Sequence, residues 1–524
     1  MNNDLPTPML GLTSTEAEAE FARLQKKLVP LWKSIERFNQ GEQTIVVVPS
    51  LTIDFECSPA ELQAYEERFL FLLLLLRQPC ARLVYVTSQM IQPNIIDYYL
   101  DLLPGVIASH ARKRLFLVSP LDSSTRPLSL KLLERPRLIE HIRSLIIDFD
   151  RAHLVPYNTT TLERDLAIRL GIPMYGADAK FFTLGTKSGS RHIFAEEGVL
   201  HPLGIENLSS IDDVARAAAE MRAQKPSLRQ VLVKLNEGVA GEGNALVDLA
   251  GIPAAGNASE RTAILDRLRT MKFESEDTTY ESYVNKLNER GGIVEERIVG
   301  EEFRSPSAQL RVTPLGKVER LSTHDQVLGG ASGQTYLGCR FPADSAYASS
   351  IMREAAKVAA RLAHEGVVGR FGIDFVTVRE QNVWKSYAIE INLRKGGTTH
   401  PFLTLQFLTD GAYDADTGVF TTALGQQKCF VASDHQASPL YRVFTPDDLF
   451  DIVARHNLHF DQTRQTGCVF HMMSALGEAG RVGLTAVHNS PQEADALFAR
   501  AVETLGKEAR LALNREAAHR GSGR

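Results

Sequence analysis

The segment from Gly369 to Pro401 constrains the fold more than any other part of the sequence, because it reads as two β-strands joined by a polar turn. In the first strand, GIDFVTV, apolar residues alternate with others, which places Asp374 on the face opposite the apolar side chains. In the second strand, SYAIEINL, the same alternation puts Glu390 and Asn392 on one face. The sequence therefore predicts a β-hairpin on which two carboxylates and an amide lie close together.

This group of oxygen-bearing side chains is typical of a Mg²⁺ site that also takes phosphate oxygens. Arg394 and the pair Gly396-Gly397 follow directly, and a guanidinium beside bare backbone N–H groups suits a negatively charged phosphoryl transition state. The alternative is an ordinary hairpin with a solvated acidic face. That alternative explains Asp374 alone better than it explains the whole succession of residues.

The succession of the acid, the E-x-N-x-R run and the Gly-Gly turn resembles the end of the large nucleotide lobe in the ATP-grasp superfamily of ligases. The longer string EINLRKGGTTHPF is similar to the branch that contains the pheganomycin-type peptide ligases. The resemblance implies that ATP and Mg²⁺ are used. It assigns Asp374, Glu390 and Asn392 to the metal, and Arg394 and Gly397 to catalysis.

Composition limits the other classes of function. At 524 residues the chain is too long for one core, so we expect several domains. A formal net charge of only -5 argues against a nucleic-acid binder. Five widely spaced cysteines without a C-x-x-C motif indicate reduced thiols in a cytoplasmic protein. The apolar run FLFLLLLL is too short to span a membrane, and we expect a buried helix there.

The first part of the chain predicts a helix over 12–40, which Thr13 or Ser14 caps, and then strands alternating with helices. That alternation indicates a parallel sheet covered by helices. No G-x-G-x-x-G follows the first strand, so NAD binding is not expected. We predict an α/β and α+β multidomain fold. Its predicted parts are a helix over 1–40, a Rossmann-like pre-ATP-grasp domain over 41–180, an ATP-grasp domain over 181–408 (lid lobe 187–295, large lobe 296–408) and a small α/β domain over 409–524.

A second signal is the strand VLVKL followed by a loop with glycines at 238, 241 and 243. Such a backbone can bring several N–H groups around phosphate oxygens. A flexible hairpin loop is the plain alternative, as a solvated lysine is for Lys187 at the head of the helix KSGSRHIF. The resemblance implies that ATP contacts Lys187, Lys234, Gly238, Gly241 and Gly243.

The segment GIVEERIVGEEF resembles the hinge between the two lobes in this superfamily. Carried over, the backbone of Glu296 and Ile298 pairs with adenine and Glu302 accepts from the ribose hydroxyls. A solvated acidic strand edge is the alternative. Arg311 is expected to face the triphosphate and to assist catalysis. His400 is a candidate general base, and Arg370 a candidate replacement for an arginine that some relatives carry at the position of Gly372.

These pieces predict an ATP- and Mg²⁺-dependent carboxylate–amine ligase that forms an amide or peptide bond through an acylphosphate and releases ADP and phosphate. Its partners are a carboxylate and an amine of small-molecule or peptide size, with no nucleic acid and no membrane. The alternatives are an ATP-grasp carboxylase or thioester ligase, a nucleotide-binding regulator without turnover, and an interaction protein whose glycine loops are plain turns. The oligomeric state is left open, a homo-oligomer included.

Overall fold

A computed structural model describes residues 11–36, 41–53, 57–238, 243–275, 278–329 and 335–521, with side chains to residue 34 in the first range and to 514 in the last. Within these ranges, no helix combines the length and the apolar composition needed to cross a membrane.

The N-terminal part is a parallel sheet of four strands in the order β3-β2-β1-β4, with helices on its faces. Its strands are short and almost wholly buried, as expected for a sheet covered on both sides. The elements are α1 (Ser14–Gln25), α2 (Leu28–Glu36), β1 (Gln43–Val48), α3 (Pro59–Glu67), β2 (Ala81–Val86), α4 (Pro93–Asp101), α5 (Ala108–Arg112), β3 (Leu115–Val118), α6 (Leu128–Leu133), α7 (Pro136–Ser144), β4 (Ala152–Pro156) and α8 (Thr161–Leu170).

Local signals set the ends of these helices. Thr13 caps α1 through a capping box with Glu16, and Ser58 caps α3 in the same way with Glu61. The predicted single helix over 12–40 is two helices in the described part of that range. The leucine run is buried as expected, but it forms a 3-10 helix over Arg68–Arg77 rather than an α-helix.

The next part is a small lobe built on a five-stranded sheet in the order β5-β9-β6-β7-β8. Helices α10 and α11 pack together, and the apolar side chains of β6, β7 and β9 join theirs in one core. The elements are α9 (Lys187–Glu196), β5 (Gly204–Leu208), α10 (Ile211–Gln224), β6 (Gln230–Leu235), β7 (Asn244–Asp248), α11 (Glu260–Arg269), β8 (Lys272–Phe273), α12 (Tyr280–Arg290) and β9 (Gly292–Glu296).

The large lobe is an antiparallel sheet crossed by one long helix, α13, which carries a buried apolar stripe. Gly366 ends α13 in the left-handed conformation that favours glycine. The elements are β10 (Glu302–Arg304), β11 (Pro306–Val312), β12 (Val318–Gly329), β13 (Thr335–Phe341), α13 (Ser345–Glu365), β14 (Gly369–Glu380), β15 (Val383–Asn392) and α14 (Thr399–Thr409).

The hairpin predicted from the sequence is β14 and β15. The two strands pair antiparallel, and Asp374 lies opposite Glu390, with Gly372 opposite Asn392. A β-bulge follows Asp374, which is a common way to re-aim a side chain beside a functional site.

The C-terminal strands extend the same sheet instead of forming a separate one, because β18 pairs with β13 and then with β20. The sheet is therefore continuous across the predicted boundary after residue 408. One apolar core also joins this region to the leucine run and to the N-terminal sheet. The elements are β16 (Ala412–Asp414), β17 (Val419–Thr421), β18 (Cys429–Ala437), α15 (Pro446–Arg455), β19 (Gly467–His471), α16 (Leu476–Ala479), β20 (Arg481–His488) and α17 (Pro491–Gly521).

Candidate functional site

A cleft of about 560 Å³ lies between the small lobe and the large lobe. Small-lobe residues such as Lys234 and Glu295 line one wall, and hairpin residues such as Asp374 and Glu390 line the other. The N-terminal part closes one end of the cleft through Tyr157 and its neighbours. All three parts of the chain thus contribute to one concave site, the kind of site that binds small molecules.

The hairpin brings the three predicted oxygen-bearing side chains together on the wall of this cleft. Asn392 donates from its amide to Asp374 Oδ2 at 2.9 Å. Gln326 on β12 donates to Asp374 Oδ1 at 2.8 Å, and sequence reasoning did not single out this glutamine. Asp374 and Glu390 are direct cross-strand partners, so two carboxylates share one patch.

The electrostatics of this patch fit a divalent cation. Burial, and then the neighbouring Glu390 carboxylate, raises the pKa of Asp374 to about 6. Burial and the Glu390 charge disfavour the ionised form of Asp374. A cation placed between the two carboxylates would stabilise that form. The carboxylates of Asp374 and Glu390 and the amide oxygen of Asn392 are hard oxygen donors, so this set suits Mg²⁺.

Two lysines reach the cleft, and both form ion pairs with acids. Lys187 Nζ lies 2.6 Å from Glu390 Oε1, which ties the first turn of α9 to the hairpin. Lys234 Nζ lies 2.5 Å from Glu295 Oε1, between neighbouring strands of the small lobe. Both lysines are almost fully buried, so their charges are held in place and poorly screened.

Arg394 differs from these lysines. It lines the cleft next to the acidic patch, yet within the described residues its guanidinium has no hydrogen bond or ion pair. Gly396 and Gly397 line the cleft directly after it. A Cβ on Gly397 would lie 2.6 Å from the ring of Tyr336, so only glycine lets this turn approach the ring so closely. The segment from Arg394 to Gly397 therefore places a guanidinium and glycine backbone on the same wall of the cleft.

Some of the residues predicted in the glycine loop and the hinge line the cleft. Gly238 lines the cleft, Gly241 lies outside the described residues, and Gly243 packs against Leu235 where the loop ends. Glu296 and Ile298 line the cleft as expected.

The main-chain N–H of Glu296, however, already donates to Leu203 O at 2.8 Å. Its side chain accepts from the Leu203 N–H and pairs with Lys225. Backbone recognition of a base at the hinge would therefore depend on Ile298 rather than on the Glu296 N–H.

Two predicted residues do not lie on the cleft wall. Arg311 Nε donates to Glu319 at 2.7 Å, and its guanidinium covers the ring of Trp32, 5.2 Å from the ring centroid. It shares the sheet face of Asp374, because Ser307 pairs with Asp374 and lies on the same face as Arg311. It lies four residues further along β11, however, where the N-terminal part covers the sheet through Trp32. Glu302 forms ion pairs with Arg379 and Arg304 at the edge of the sheet.

The two residues left open in the sequence also lie off the cleft wall. Arg370 is the cross-strand neighbour of Arg311, and burial followed by that neighbour lowers its pKa to about 10. His400 is buried against His471 and Asp434.

A second group of residues, at the end of the cleft that the N-terminal part closes, was missed by sequence reasoning. Arg68 forms an ion pair with Asp434 at 2.5 Å, and its guanidinium covers the rings of Tyr65 and Tyr157. His435 lines the cleft beside Asp434. The sequence did contain a signal for this group, since Arg68 directly precedes a leucine run that was expected to be buried. A buried arginine usually has an acidic partner, so an acid was to be sought near it.

Two family models match the chain. An IQCH-like ATP-grasp domain matches residues 180–275 and 257–416, which cover the small lobe, the large lobe and the cleft between them. The C-terminal domain described as PGM1 matches residues 448–501.

Two curated proteins are similar over most of the chain. L-propargylglycine--L-glutamate ligase of Streptantibioticus cattleyicolor is 31% identical over 483 residues, which cover 90% of this chain and 93% of the ligase. IQ motif-containing protein H of Danio rerio is 25% identical over 418 residues, which cover 70% of this chain and 39% of that longer protein.

Solved structures share the fold at low sequence identity. An N5-carboxyaminoimidazole ribonucleotide synthetase in complex with ADP has a TM-score of 0.50 and 10% identity, over 89% of this chain and 98% of its own. A biotin carboxylase from Campylobacter jejuni has a TM-score of 0.51 and 13% identity, over 89% of this chain and 92% of its own. These similarities confirm the multidomain α/β and α+β fold.

Proposed function

Because the chain belongs to the ATP-grasp ligase family and is an ATP-grasp enzyme of the carboxylate–amine ligase type, we propose that its cleft joins the carboxylate of one amino acid or peptide to the amine of another. The observation that carries this proposal is the hairpin patch of Asp374, Glu390 and Asn392, which lies beside Arg394. The charge of that arginine acts on Asp374, and within the described residues it forms no close ion pair. The curated relative named as a ligase of L-propargylglycine and L-glutamate supports the choice of amino acids.

The chemistry requires a leaving group better than hydroxide. A carboxylate oxygen attacks the γ-phosphorus of ATP, ADP leaves, and an acylphosphate remains. The amine nitrogen then attacks the acyl carbon, the carbon–oxygen bond to phosphate breaks, and the amine loses a proton to phosphate or solvent. Such transfers depend on positioning and charge neutralisation more than on a covalent side chain.

The residues of the cleft divide the work. Lys187 and Lys234 both line the cleft and would bind and orient the phosphates. Arg394 would stabilise the transferring phosphoryl group and then the tetrahedral oxyanion, with N–H groups of the Gly396-Gly397 turn nearby.

Asp374, Glu390 and Asn392 would hold Mg²⁺. Bound there, the ion would supply positive charge that neutralises phosphate oxygens.

The test is turnover. The purified chain is incubated with ATP, Mg²⁺ and pairs of amino acids or short peptides, and ADP and phosphate release are followed together with mass spectrometry of the products. We expect ADP and phosphate in equal amounts with a product that weighs one water less than the two substrates. ADP release that needs bicarbonate or a thiol instead of an amine would favour a carboxylase or a thioester ligase and contradict the proposal.

A further inference from the structure

Three metal-ligating side chains meet beneath the wall of the cleft. His400 lies in the first turn of α14, Asp434 on β18 and His471 at the end of β19. Each is 3% exposed. None of them belongs to the hairpin patch, and they come from segments far apart in the sequence.

The three ligand atoms form a nearly equilateral triangle. His400 Nε2 lies 3.0 Å from His471 Nε2 and 3.1 Å from Asp434 Oδ1. His471 Nε2 lies 2.8 Å from the same Asp434 oxygen. Two imidazoles therefore turn their ε nitrogens towards each other and towards one carboxylate oxygen.

Hydrogen bonds alone do not account for all three contacts of this triangle. Each Nε2 carries at most one hydrogen. If both hydrogens point to Asp434 Oδ1, the two nitrogens face each other with no bond between them. If one points to the other nitrogen, one contact with the carboxylate is lost. A buried polar contact left unmade is costly, so one side of the triangle needs another explanation.

We propose that His400, Asp434 and His471 bind a divalent transition-metal ion of the Zn²⁺ class, as a second metal site distinct from the oxygen-ligand patch of the hairpin. Ligand atoms that lie about 2.0–2.1 Å from one Zn²⁺ at tetrahedral angles are about 3.3 Å apart, so a shift of a few tenths of an ångström from the spacing seen here would accommodate the ion. Two imidazoles and one carboxylate select such an ion over Mg²⁺, which prefers oxygen ligands only. Three protein ligands leave one coordination position open.

The surroundings hold two of the ligands in position. Arg68 Nη1 donates to Asp434 Oδ2 at 2.5 Å, which leaves Oδ1 turned to the histidines. Supports of this kind orient metal ligands. A Cβ on Gly483 would lie 2.1 Å from the His471 ring, so a glycine is required where the ring packs on β20. His400 Nδ1 has no partner among the described residues, so the contacts at its Nε2 determine where that ring lies.

The charge of the site indicates which class of ligand would occupy the open coordination position. Asp434 offers one negative charge, whereas Arg68 and a divalent ion would supply three positive charges next to it. The site would therefore attract an anionic or neutral oxygen or nitrogen donor. Asp434 and Arg68 both line the cleft, so a carboxylate or an amine in the cleft is the expected class of ligand.

The test uses the full chain without a polyhistidine tag. It is expressed in zinc-supplemented medium, dialysed against metal-free buffer, and its metal content is measured by plasma mass spectrometry. We expect about one equivalent of Zn²⁺ per chain, and less than about 0.1 equivalent in His471→Ala. The matched control is His456→Ala, whose ring pairs with Glu508 at the surface, and it should keep the metal.

A second measurement protects the test against a misfolded variant. Wild-type protein stripped with a chelator is titrated with Co²⁺, with and without excess Mg²⁺, and its visible spectrum is recorded. Absorption bands of Co²⁺ bound to nitrogen ligands should saturate at about one equivalent and resist Mg²⁺. No zinc in the wild type together with no Co²⁺ bands would overturn the metal site, and so would equal zinc in wild type and a folded His471→Ala. Neither result bears on ligase turnover, which is measured separately.

Discussion

The two ends of the cleft hold their charges in different ways. At the hairpin end, Lys187 and Lys234 pair with Glu390 and Glu295, within two lobes that each have their own core. At the other end, Arg68 pairs with Asp434 across segments that are 366 positions apart in sequence. The first arrangement suits a ligand that both lobes close upon, and the second locks the N-terminal part to the C-terminal strands. A change at the second end should therefore affect stability first.

The largest expected effect follows from breaking the buried pair. Arg68→Met leaves Asp434 without its guanidinium at a site where both side chains are at most 5% exposed. We expect the free energy of unfolding to fall by about 3–5 kcal/mol, measured by urea titration. The matched control is Arg112→Met, whose partner Asp97 is mostly exposed, and it should cost less than about 1 kcal/mol. An equal loss of unfolding free energy in both variants would contradict the claim that the buried pair stabilises the fold more than the surface pair.

A comparable effect on catalysis, without a change in stability, is expected at the hairpin end. Arg394→Ala should lower kcat by about 10²–10³-fold, the usual cost of removing one oxyanion donor. The affinity for ATP should change by less than about threefold, because Lys187 and Lys234 remain. Arg394→Lys serves as a control that keeps the charge and loses the fork of donors. Normal turnover in Arg394→Ala would remove its catalytic role.

The affinity for Mg²⁺ should depend on pH, because burial and the neighbouring Glu390 raise the pKa of Asp374. The pKa of Asp374 is raised to about 6, so in the metal-free protein this carboxyl is ionised at pH 8 and mostly protonated at pH 5. Protons and Mg²⁺ compete for it, so affinity for Mg²⁺ should be nearly constant above pH 7. Below pH 6 it should fall by about tenfold per pH unit. A Mg²⁺ titration at several pH values checks this, and an affinity that stays level down to pH 5 would contradict it.

The smallest effect is expected at Arg311. Its guanidinium covers Trp32 and pairs with Glu319, away from the cleft. Arg311→Ala should leave kcat/KM within about twofold of wild type and lower only the stability of the contact with the N-terminal part. A loss of activity as large as that of Arg394→Ala would restore the role expected for Arg311 from the sequence.

The contrast between the two ends also explains how far the sequence could be interpreted. The hairpin patch was predictable because strand alternation and one short turn determine which side chains meet, and Asp374 does lie opposite Glu390. Helix starts were predictable for the same local reason, as the capping box of Thr13 shows.

Contacts between distant segments were not predictable in this way. Nothing local to Arg68 or Asp434 indicates that they pair, and nothing near residue 408 shows that β18 continues the sheet of β13. The same limit applied to Arg311, because alternation gives its face but not what covers that face. The leucine run was identified as buried from its composition, whereas its 3-10 geometry and its shared core with the C-terminal region were not predicted.

The central claim is that the hairpin patch binds a magnesium–nucleotide complex. Calorimetry of ATP binding, with and without Mg²⁺, on wild type and Asp374→Asn tests it most directly. We predict that Mg²⁺ tightens ATP binding to wild type by at least about tenfold and has no such effect on the variant. Equal stimulation by Mg²⁺ in both proteins would contradict the claim.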